Sequence, residues 1–461
     1  MDQDQQVLKI RVSYLAYYVA LALSAIALLI PAIYNHYPLV NPDSATYLAS
    51  GFKPETPFDR PITYGLLIRL FSLNGISLWL VIFMQAWIVS WLIFKIIKSF
   101  CSEYNFILKS LFTVCFLAVF SSISWLVSQV QPDVYTAIAV LCMILIMLNK
   151  ESGIDRVLQY LLFFLSVAVH MSHPLLFIVL SIVAIILARL IADKDSISKM
   201  RKRAGTLILL SALSIVFMGS AFSKSKHVFF IGSLLEKGIL KTYLDDQCAA
   251  DHYKLCVYKD ELPVKSDDFI WDENSPLYKT GSWKGNKDEF NHIIHNILTT
   301  PKYLKLYLSA TARQAAMQAV TFDIGDGNGS FPPGTNVNNR VREYFPREAG
   351  RFDSDRQNTE SLDHKLALPN LIFSIVDVVG LLMVIIMLFS KSFKTQDIRL
   401  VVILIFSGIL LNCLDCAAFS IVNGRFGCKM IWLIPFCAVI CCLQYLVYRS
   451  GINRLSRKFK D

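Results

Sequence analysis

The 461-residue chain is 54% hydrophobic and only 17% charged, against about 25% charged residues in soluble proteins. This composition argues against a soluble protein, in which nearly every helix would have to be apolar on all sides. The formal net charge of +10 does not indicate nucleic-acid binding in such a chain, because Lys and Arg in the short loops of a membrane protein mark its cytoplasmic side.

Apolar segments long enough to cross a bilayer of about 30 Å recur along the chain. They predict an all-α polytopic membrane protein with about ten transmembrane helices. The predicted spans are residues 12–34, 76–98, 107–127, 134–149, 156–170, 174–192, 205–222, 366–390, 400–421 and 428–447. The first span lacks a small-residue cleavage site, so we expect it to be an anchor rather than a signal peptide.

These spans divide the chain into three regions. Residues 1–222 form an N-terminal module of about seven spans, residues 223–365 an extracytoplasmic loop domain, and residues 366–461 a C-terminal module of about three spans. Basic short loops occur at every second connection, so both termini are predicted to be cytoplasmic. The first outer loop, residues 35–75, is far longer than the roughly 2–8 residues usual between neighbouring helices, which suggests a functional role.

The hydrophilic region between spans seven and eight has three parts. Cys248 and Cys256 form a plausible disulfide if this region faces an oxidising compartment. Residues 288–320 have helical periodicity, and Pro301 should start a second helix. That helix either lies along the membrane interface or caps the loop domain. Residues 323–360 are rich in Gly, Asn, Pro and Asp and are predicted to be a flexible loop, a candidate lid.

The first outer loop carries the most unusual polar residues. Asp43 is bracketed by Pro42 and Tyr47, and Asp59 and Arg60 follow before the second span. A general base must come within about 3 Å of its proton, so it needs a rigid mount, which a helix end provides. Asp43 is therefore the first candidate for a catalytic base, with a solvated loop acid as the alternative.

Two further outer turns carry candidate site residues. Asp133 directly precedes the fourth span, where capping of the helix is the simplest role, and Gln131 makes this turn polar enough to be a ligand-binding edge. Arg425 and Lys429 lie between the last two spans. A guanidinium group binds phosphate through two hydrogen bonds, although anchoring to lipid head groups is an equal alternative.

Other polar groupings favour structural roles. His170 and His173 have the i, i+3 spacing of metal ligands, but no Cys or carboxylate lies beside them, so packing or hydrogen bonding is predicted. His292 and His295 repeat this spacing and receive the same interpretation. Residues 323–330 resemble a calcium loop, but the Glu at its twelfth position is missing. No metal site is predicted.

The order of the polar motifs resembles that of GT-C fold integral-membrane glycosyltransferases, which include protein O-mannosyltransferases and lipid A aminoarabinose transferases. The resembling segments are Asn41 to Tyr47 and Asp59 to Tyr64 in the first outer loop, Pro132-Asp133 before the fourth span, and Gly424-Arg425-Phe426 with Pro435 near the end. Residues 223–365 resemble no part of the family that we can assign. The likeness covers the first half of the chain and, more weakly, its last two spans.

This resemblance implies a sugar donor on a polyprenyl phosphate or diphosphate and a glycan, lipid or protein acceptor. Asp43 would deprotonate the acceptor, which attacks the anomeric carbon with inversion. Arg425, with Arg60 or Lys429, would hold the leaving phosphate. The predicted contacts to donor or acceptor are Asp59, Arg60, Tyr47, Asp133 and Gln131. Some family members use a divalent metal, which nothing here specifies. The implied location is a bacterial inner membrane, with the site on its periplasmic face.

Two alternatives remain open. A transporter or flippase of lipid-linked glycans should place ionisable residues at the midplane of several spans, and only Asp377 and Asp415 are candidates. A membrane acyltransferase would need a His deep in the bundle, whereas His170 and His173 are predicted near an edge; a polysaccharide polymerase is a related possibility. The concentration of polar residues on the outer face favours chemistry at the membrane surface.

Overall fold

The computed structural model describes residues 3–53, 55–100, 106–149, 151–191, 194–218, 221–360, 362, 365–390 and 395–458. Helices dominate these residues, in agreement with the predicted all-α class. The sole β pairing within these ranges is an isolated parallel bridge between Leu39 and Gln129.

The helices follow one another with short connections. In chain order they are α1 (Gln3–Leu28), α2 (Ile30–Asn35), α3 (Ser44–Phe52), α4 (Thr63–Phe71), α5 (Leu78–Phe100), α6 (Phe106–Phe120), α7 (Ile123–Val127), α8 (Val134–Leu148), α9 (Gly153–Ala168), α10 (His173–Ile191), α11 (Lys194–Phe217), α12 (Ala221–Glu236), α13 (Ile239–Gln247), α14 (Ser266–Trp271), α15 (Pro276–Lys279), α16 (Ser282–Gly285), α17 (Lys287–Thr299), α18 (Pro301–Gln318), α19 (Asn336–Tyr344), α20 (Ala349–Asp353), α21 (Arg356–Glu360), α22 (Ala367–Leu388), α23 (Gln396–Phe419), α24 (Gly424–Ile431) and α25 (Leu433–Lys458). A 3₁₀-helix covers Lys254–Tyr258.

Within the described ranges, four helical stretches are long and apolar enough to cross a membrane, and they indicate a membrane-embedded protein. They are Leu78–Phe100, Ala367–Leu388, Asp397–Phe419 and Gly424–Arg449. Four shorter apolar helices accompany them: Tyr14–Leu28, Phe106–Phe120, Val134–Leu148 and His173–Leu187. The other two predicted spans, 156–170 and 205–222, overlap α9 and α11. These two helices belong neither to the long apolar helices nor to the shorter apolar ones. The number of ten spans therefore stays a prediction.

The first and third predicted spans are each divided into two helices. Pro31 lies in the first turn of α2, where its missing amide hydrogen is tolerated, so the helix restarts there instead of continuing from α1. Between α6 and α7, Ser121 Oγ donates to the carbonyl of Leu117 (2.7 Å) and Ser122 Oγ donates to the carbonyl of Cys428 (3.2 Å). These side-chain hydrogen bonds compete with the regular helix.

The region 223–365 is divided between two hydrophobic cores. A second core, formed by residues within 228–310, joins helices α12 to α18. By contrast, Ile324, Phe345 and Phe352 belong to the main core, together with the spans. Residues 323–360 are thus not simply an irregular lid, because they contain α19, α20 and α21 and bury these apolar side chains against the rest of the protein.

Residues 35–75, predicted to be the first outer loop, are held in place by contacts within the loop and by contacts with a distant part of the chain. Inside it, α3 crosses α4 so closely that a Cβ on Gly51 or Gly65 would overlap the other helix, so glycine is required at the crossing. From outside, Glu348 accepts hydrogen bonds from Tyr37 Oη (2.9 Å) and the amide of Leu78 (3.1 Å). These contacts provide the rigid mount that a reactive side chain in this loop needs.

Candidate active site

Asp43 lies at the N-terminal end of α3, where a side-chain turn begins the helix. The Oδ1 atom of Asn41 accepts hydrogen bonds from the amides of Asp43 (3.0 Å) and Ser44 (3.2 Å). Ser44 Oγ donates to the carbonyl of Val130 (3.0 Å), which ties this turn to the segment ahead of α8. Because Asn41 satisfies the turn, the Asp43 carboxylate makes no capping bond and is free to face other groups.

Two arginines from distant parts of the chain bind the Asp43 carboxylate. Arg60 Nη2 donates to Oδ1 at 2.7 Å, and Arg425 Nη2 donates to Oδ2 at 2.9 Å. The three side chains are only 16–21% exposed. Burial disfavours the ionised carboxylate, but the two guanidinium groups outweigh burial and hold the pKa of Asp43 well below its usual range.

The pairing of charges continues on both sides of this carboxylate. Arg60 Nε donates to Asp59 Oδ2 at 2.9 Å. On the other side, Arg425 Nε lies 3.2 Å from Asp133 Oδ2 without hydrogen-bond geometry, and Lys429 Nζ lies 3.0 Å from Asp133 Oδ1. We call these six alternating acids and bases the charge network: Asp59, Arg60, Asp43, Arg425, Asp133 and Lys429.

Asp133 and Lys429 form the most buried pair of the charge network, with 4% and 5% side-chain exposure. Asp133 directly precedes α8 but makes no side-chain capping bond, so the capping role considered above is not observed. Every residue of α8 is buried, and the N-terminal end of this central helix therefore places Asp133 inside the bundle. The Arg425 guanidinium group lies between the carboxylates of Asp43 and Asp133, and these two ion pairs fix its position.

Three tyrosine rings in contact with one another pack against Arg60. The Arg60 guanidinium carbon lies 5.3 Å from the centre of the Tyr47 ring, within the range of a cation–π contact. Tyr47 meets Tyr64 edge to face at 5.1 Å, and Tyr64 meets Tyr135 at 5.8 Å. All three rings are buried. The packed Tyr47 ring therefore restricts the rotamers of Arg60 and keeps its guanidinium group directed towards the carboxylates.

The helix α24 brings Arg425 into the site. Asn423 Oδ1 caps this helix by accepting from the Arg425 amide (3.0 Å), and Asp326 Oδ2 accepts from the same amide (3.3 Å). A Cβ on Gly424 or Gly427 would overlap atoms of the loop that follows α18. The two glycines therefore allow this loop to lie directly against α24.

The loop that follows α18 is the part of the site that the sequence did not predict. Its Asp323 carboxylate accepts a hydrogen bond from Asn370, and its Gly327 lies beside Asn41 and Arg425. The Gly-rich pattern predicted only a flexible loop, because the partners of Asp323 and Gly327 come from segments more than forty residues away. The closely spaced glycines of α24 are the one signal that something packs tightly there.

The remaining predicted site residues lie in two places. Gln131 is fully buried two residues before Asp133, and neither of its amide atoms has a hydrogen-bond partner among the described residues. Cys248 and Cys256 form a disulfide at the second core, with their Cα atoms 5.6 Å apart. The disulfide is thus a feature of the second core and contributes no group to the charge network.

His170 and His173 make packing and hydrogen-bond contacts within the protein. His173 is buried, with Nε2 2.9 Å from Thr136 Oγ1 and Nδ1 2.7 Å from the carbonyl of Ser166, and His170 stacks on its ring at 4.9 Å. Across the described parts of the chain, no three His, Cys, Asp or Glu side chains are grouped so that they could hold a metal ion.

No protein-family model, curated protein or solved structure matches the chain. The chemistry of the site is therefore argued from its own residues. Two guanidinium groups and one ammonium group can bind a phosphate, and the partly exposed Asp43 carboxylate beside them can accept a proton once its ion pairs are weakened. The site can thus hold an anion and take a proton next to it.

Proposed function

We propose that the protein is a GT-C-type membrane glycosyltransferase, which moves a sugar from a polyprenyl-phosphate donor to an acceptor at the outer face of the membrane. The observation that carries this proposal is the double pairing of the Asp43 carboxylate with Arg60 and Arg425. It joins an acid of the first outer loop to a base near the last helix, across 382 positions of sequence. The resemblance to GT-C enzymes rests on the same residues.

In the proposed reaction, Arg425 and Arg60 bind the phosphate of the donor, and Lys429 adds positive charge. Asp43 takes the proton of the acceptor hydroxyl or amine as the acceptor atom attacks the anomeric carbon. The bond between that carbon and the phosphate oxygen breaks, and the polyprenyl phosphate leaves with the electron pair. Fixed cations beside the leaving group stabilise the charge that develops on it. The configuration at the anomeric carbon is inverted.

The low pKa of Asp43 makes it a poor base in the ligand-free site, because a strongly acidic group gives little driving force for proton transfer. A donor phosphate competes with Asp43 for Arg60 and Arg425. As these arginines turn towards the phosphate, the carboxylate loses the partners that lower its pKa, and it regains basicity. The base is then active only when the donor is bound.

A transfer assay tests this proposal, with the purified full chain and a panel of polyprenyl-phosphate sugars. Asp43→Asn should lower kcat by about 10²–10⁴-fold. It should not raise the KM for the donor, because the substitution removes a competitor for Arg60 and Arg425. The matched control is Asp260→Asn, an exposed acid that pairs with Lys241 and is not a member of the charge network. Full activity of Asp43→Asn would overturn the assignment of the base.

Transport of a lipid-linked glycan is a second candidate, favoured by Asp377. This residue of α22 is 5% exposed, and neither carboxylate oxygen has a partner among the described residues. An unpaired acid inside a span is expected on a transport path. In vesicles that hold a fluorescent lipid-linked sugar but no acceptor, flipping that depends on Asp377 but not on Asp43 would favour transport over transfer.

A further inference from the structure

Asn41 and Gln131 lie on adjoining segments at the candidate site. The parallel bridge between Leu39 and Gln129 pairs these two segments. Beyond the bridge, Ser44 Oγ accepts a hydrogen bond from the Asn41 amide (3.0 Å), and Gln131 directly follows Val130. The hydrogen bond from Ser44 Oγ to the Val130 carbonyl holds the segments together at this point (3.0 Å).

Both amides are buried and incompletely bonded. Asn41 is 1% exposed, and its Nδ2 atom has no hydrogen-bond partner among the described residues; the same holds for both amide atoms of Gln131. The orientation of the Asn41 amide is set by chemistry, because its Oδ1 accepts from two backbone amides. Its Nδ2 therefore offers a donor, while Gln131 offers both a donor and an acceptor.

Nearby amides with a structural role are different. Gln85 accepts from Tyr64 Oη (2.8 Å) and donates to the carbonyls of Val127 and Gln129 (both 3.0 Å). Gln357 accepts from the Val40 amide (3.1 Å) and donates to the Val40 carbonyl (2.6 Å). Buried polar groups that only support the fold are normally bonded in this way. The Asn41–Gln131 pair departs from that rule inside the candidate site.

The amide pair also lies next to the cation that is proposed to bind phosphate. A Cβ built on Gly327 would lie 4.0 Å from Asn41 Nδ2 and 3.9 Å from Arg425 Nη1, so both nitrogens lie close to Gly327. Gly327 has a φ of +84°, a conformation that favours glycine. A group attached directly to a phosphate on Arg425 would reach Asn41, and in the donor that group is the sugar.

We infer that Asn41 and Gln131 bind hydroxyl groups of the sugar carried by the donor; this inference rests on the proposed function. The pair offers two NH2 groups that need acceptors and one oxygen, Gln131 Oε1, that needs a donor. A hydroxyl group supplies both roles, whereas a carboxylate only accepts and an ammonium group only donates. The pair therefore fits a position of the sugar that carries a hydroxyl group and disfavours a charged group at that position.

Binding of defined probes to the full chain in nanodiscs tests this assignment. The probes are farnesyl phosphate alone and farnesyl phosphates that carry glucose, mannose, galactose or glucuronate. At least one neutral sugar should tighten binding about tenfold relative to farnesyl phosphate, which corresponds to one or two good hydrogen bonds.

Two variants remove the amides without adding charge. Gln131→Met keeps the side-chain volume, and Asn41→Ser keeps an oxygen that can accept in the turn before α3. Each should reduce the gain from the sugar about threefold to tenfold and leave the affinity for farnesyl phosphate within about twofold. The matched control is Gln159→Met in α9. Gln159 is also buried, its Nε2 has no hydrogen-bond partner among the described residues, and it is not a residue of the candidate site. This variant should change neither affinity.

The outcomes separate this inference from the proposed function. Binding of farnesyl phosphate with no preference for a neutral sugar would overturn the sugar assignment alone. The sugar assignment would also be overturned if, in both variants, the sugar still tightened binding relative to farnesyl phosphate as much as in the wild type. If no probe binds at all, both the proposed function and the sugar assignment fail. Retained binding of farnesyl phosphate also shows that each variant is folded.

Discussion

The charged residues of the candidate site and those of the second core are paired in opposite environments. In the site, Asp133 and Lys429 are 4% and 5% exposed. At the surface of the second core, Lys241 pairs with Asp260 at 42% and 78% exposure. Exposed pairs are worth about 0–1 kcal/mol because solvent screens them. Buried pairs cost several kcal/mol per ion in desolvation, so an apolar pair would often be as stable.

This difference separates charges that keep a surface soluble from charges that a reaction needs. Six ionisable groups in one network, none of them more than 21% exposed, are poorly explained by stability alone. They are explained if substrate exchanges partners with them, since the desolvated cations then bind an anion strongly. Changes in the two regions should therefore have effects of very different size.

The largest effect on stability is expected from Asp133→Asn. It leaves Lys429 buried without its carboxylate, which should lower the free energy of unfolding by about 3–5 kcal/mol. Unfolding of the purified protein in detergent measures this. The double variant Asp133→Asn/Lys429→Met should regain most of the loss, because no unpaired ammonium group remains. A double variant no more stable than Asp133→Asn would contradict this account.

The next largest effect should come from the disulfide of the second core. Replacing Cys248 and Cys256 by Ala opens a loop with a sequence separation of 8, and for a loop of this size the expected loss is about 2.5 kcal/mol. Hydrogen exchange should become faster in α13 and α17 and stay unchanged in α3 and α24. Faster exchange in α3 would show that the two regions are not independent.

Asp355 gives a pH-dependent test at the segment that fastens the first loop. Burial raises the pKa of this carboxyl to about 7. Because the neutral acid is favoured in the folded state, stability should fall as the pH rises from about 4, the unfolded pKa, to about 7 and then level off.

Asp355→Asn should remove this dependence. At pH 8 it should unfold roughly 2–4 °C above the wild type, and near pH 4 the two should agree. Glu360→Gln, which changes an exposed acid of the next helix, is the control and should retain the wild-type slope. A wild-type unfolding temperature that does not change between pH 4 and pH 8 would refute the prediction.

The smallest effect is expected at the surface of the second core. Asp260→Asn removes one partner of Lys241, which keeps Asp245 at 2.9 Å. The change in the free energy of unfolding should be below about 0.5 kcal/mol and should disappear in 1 M salt. A loss comparable with that of Asp133→Asn would remove the distinction between the two regions.

The sequence predicted most helices and the members of the charge network, because both leave local signals. Apolar runs mark helices such as α5 and α8, and an isolated Arg425 between apolar helices stands out. The structure adds what local patterns lack. Nothing around Asn41 shows that its segment adjoins that of Gln131, since the two segments, about ninety residues apart, are joined only through tertiary contacts such as the Leu39–Gln129 bridge. The packing of Gly327 against Arg425 likewise depends on tertiary contacts.

The two arginines that bind the Asp43 carboxylate are synthesised at different times, because they lie at very different distances from Asp43 along the chain. Arg60 is 17 residues away and Arg425 is 382 residues away. At about 5–20 residues per second, Arg425 leaves the ribosome roughly 20–80 s after Asp43. During that interval Arg60 is the partner that can neutralise the acid while the first helices enter the membrane. The second arginine follows 382 residues after Asp43, so the double pairing of this carboxylate cannot be complete before that length of chain has been made.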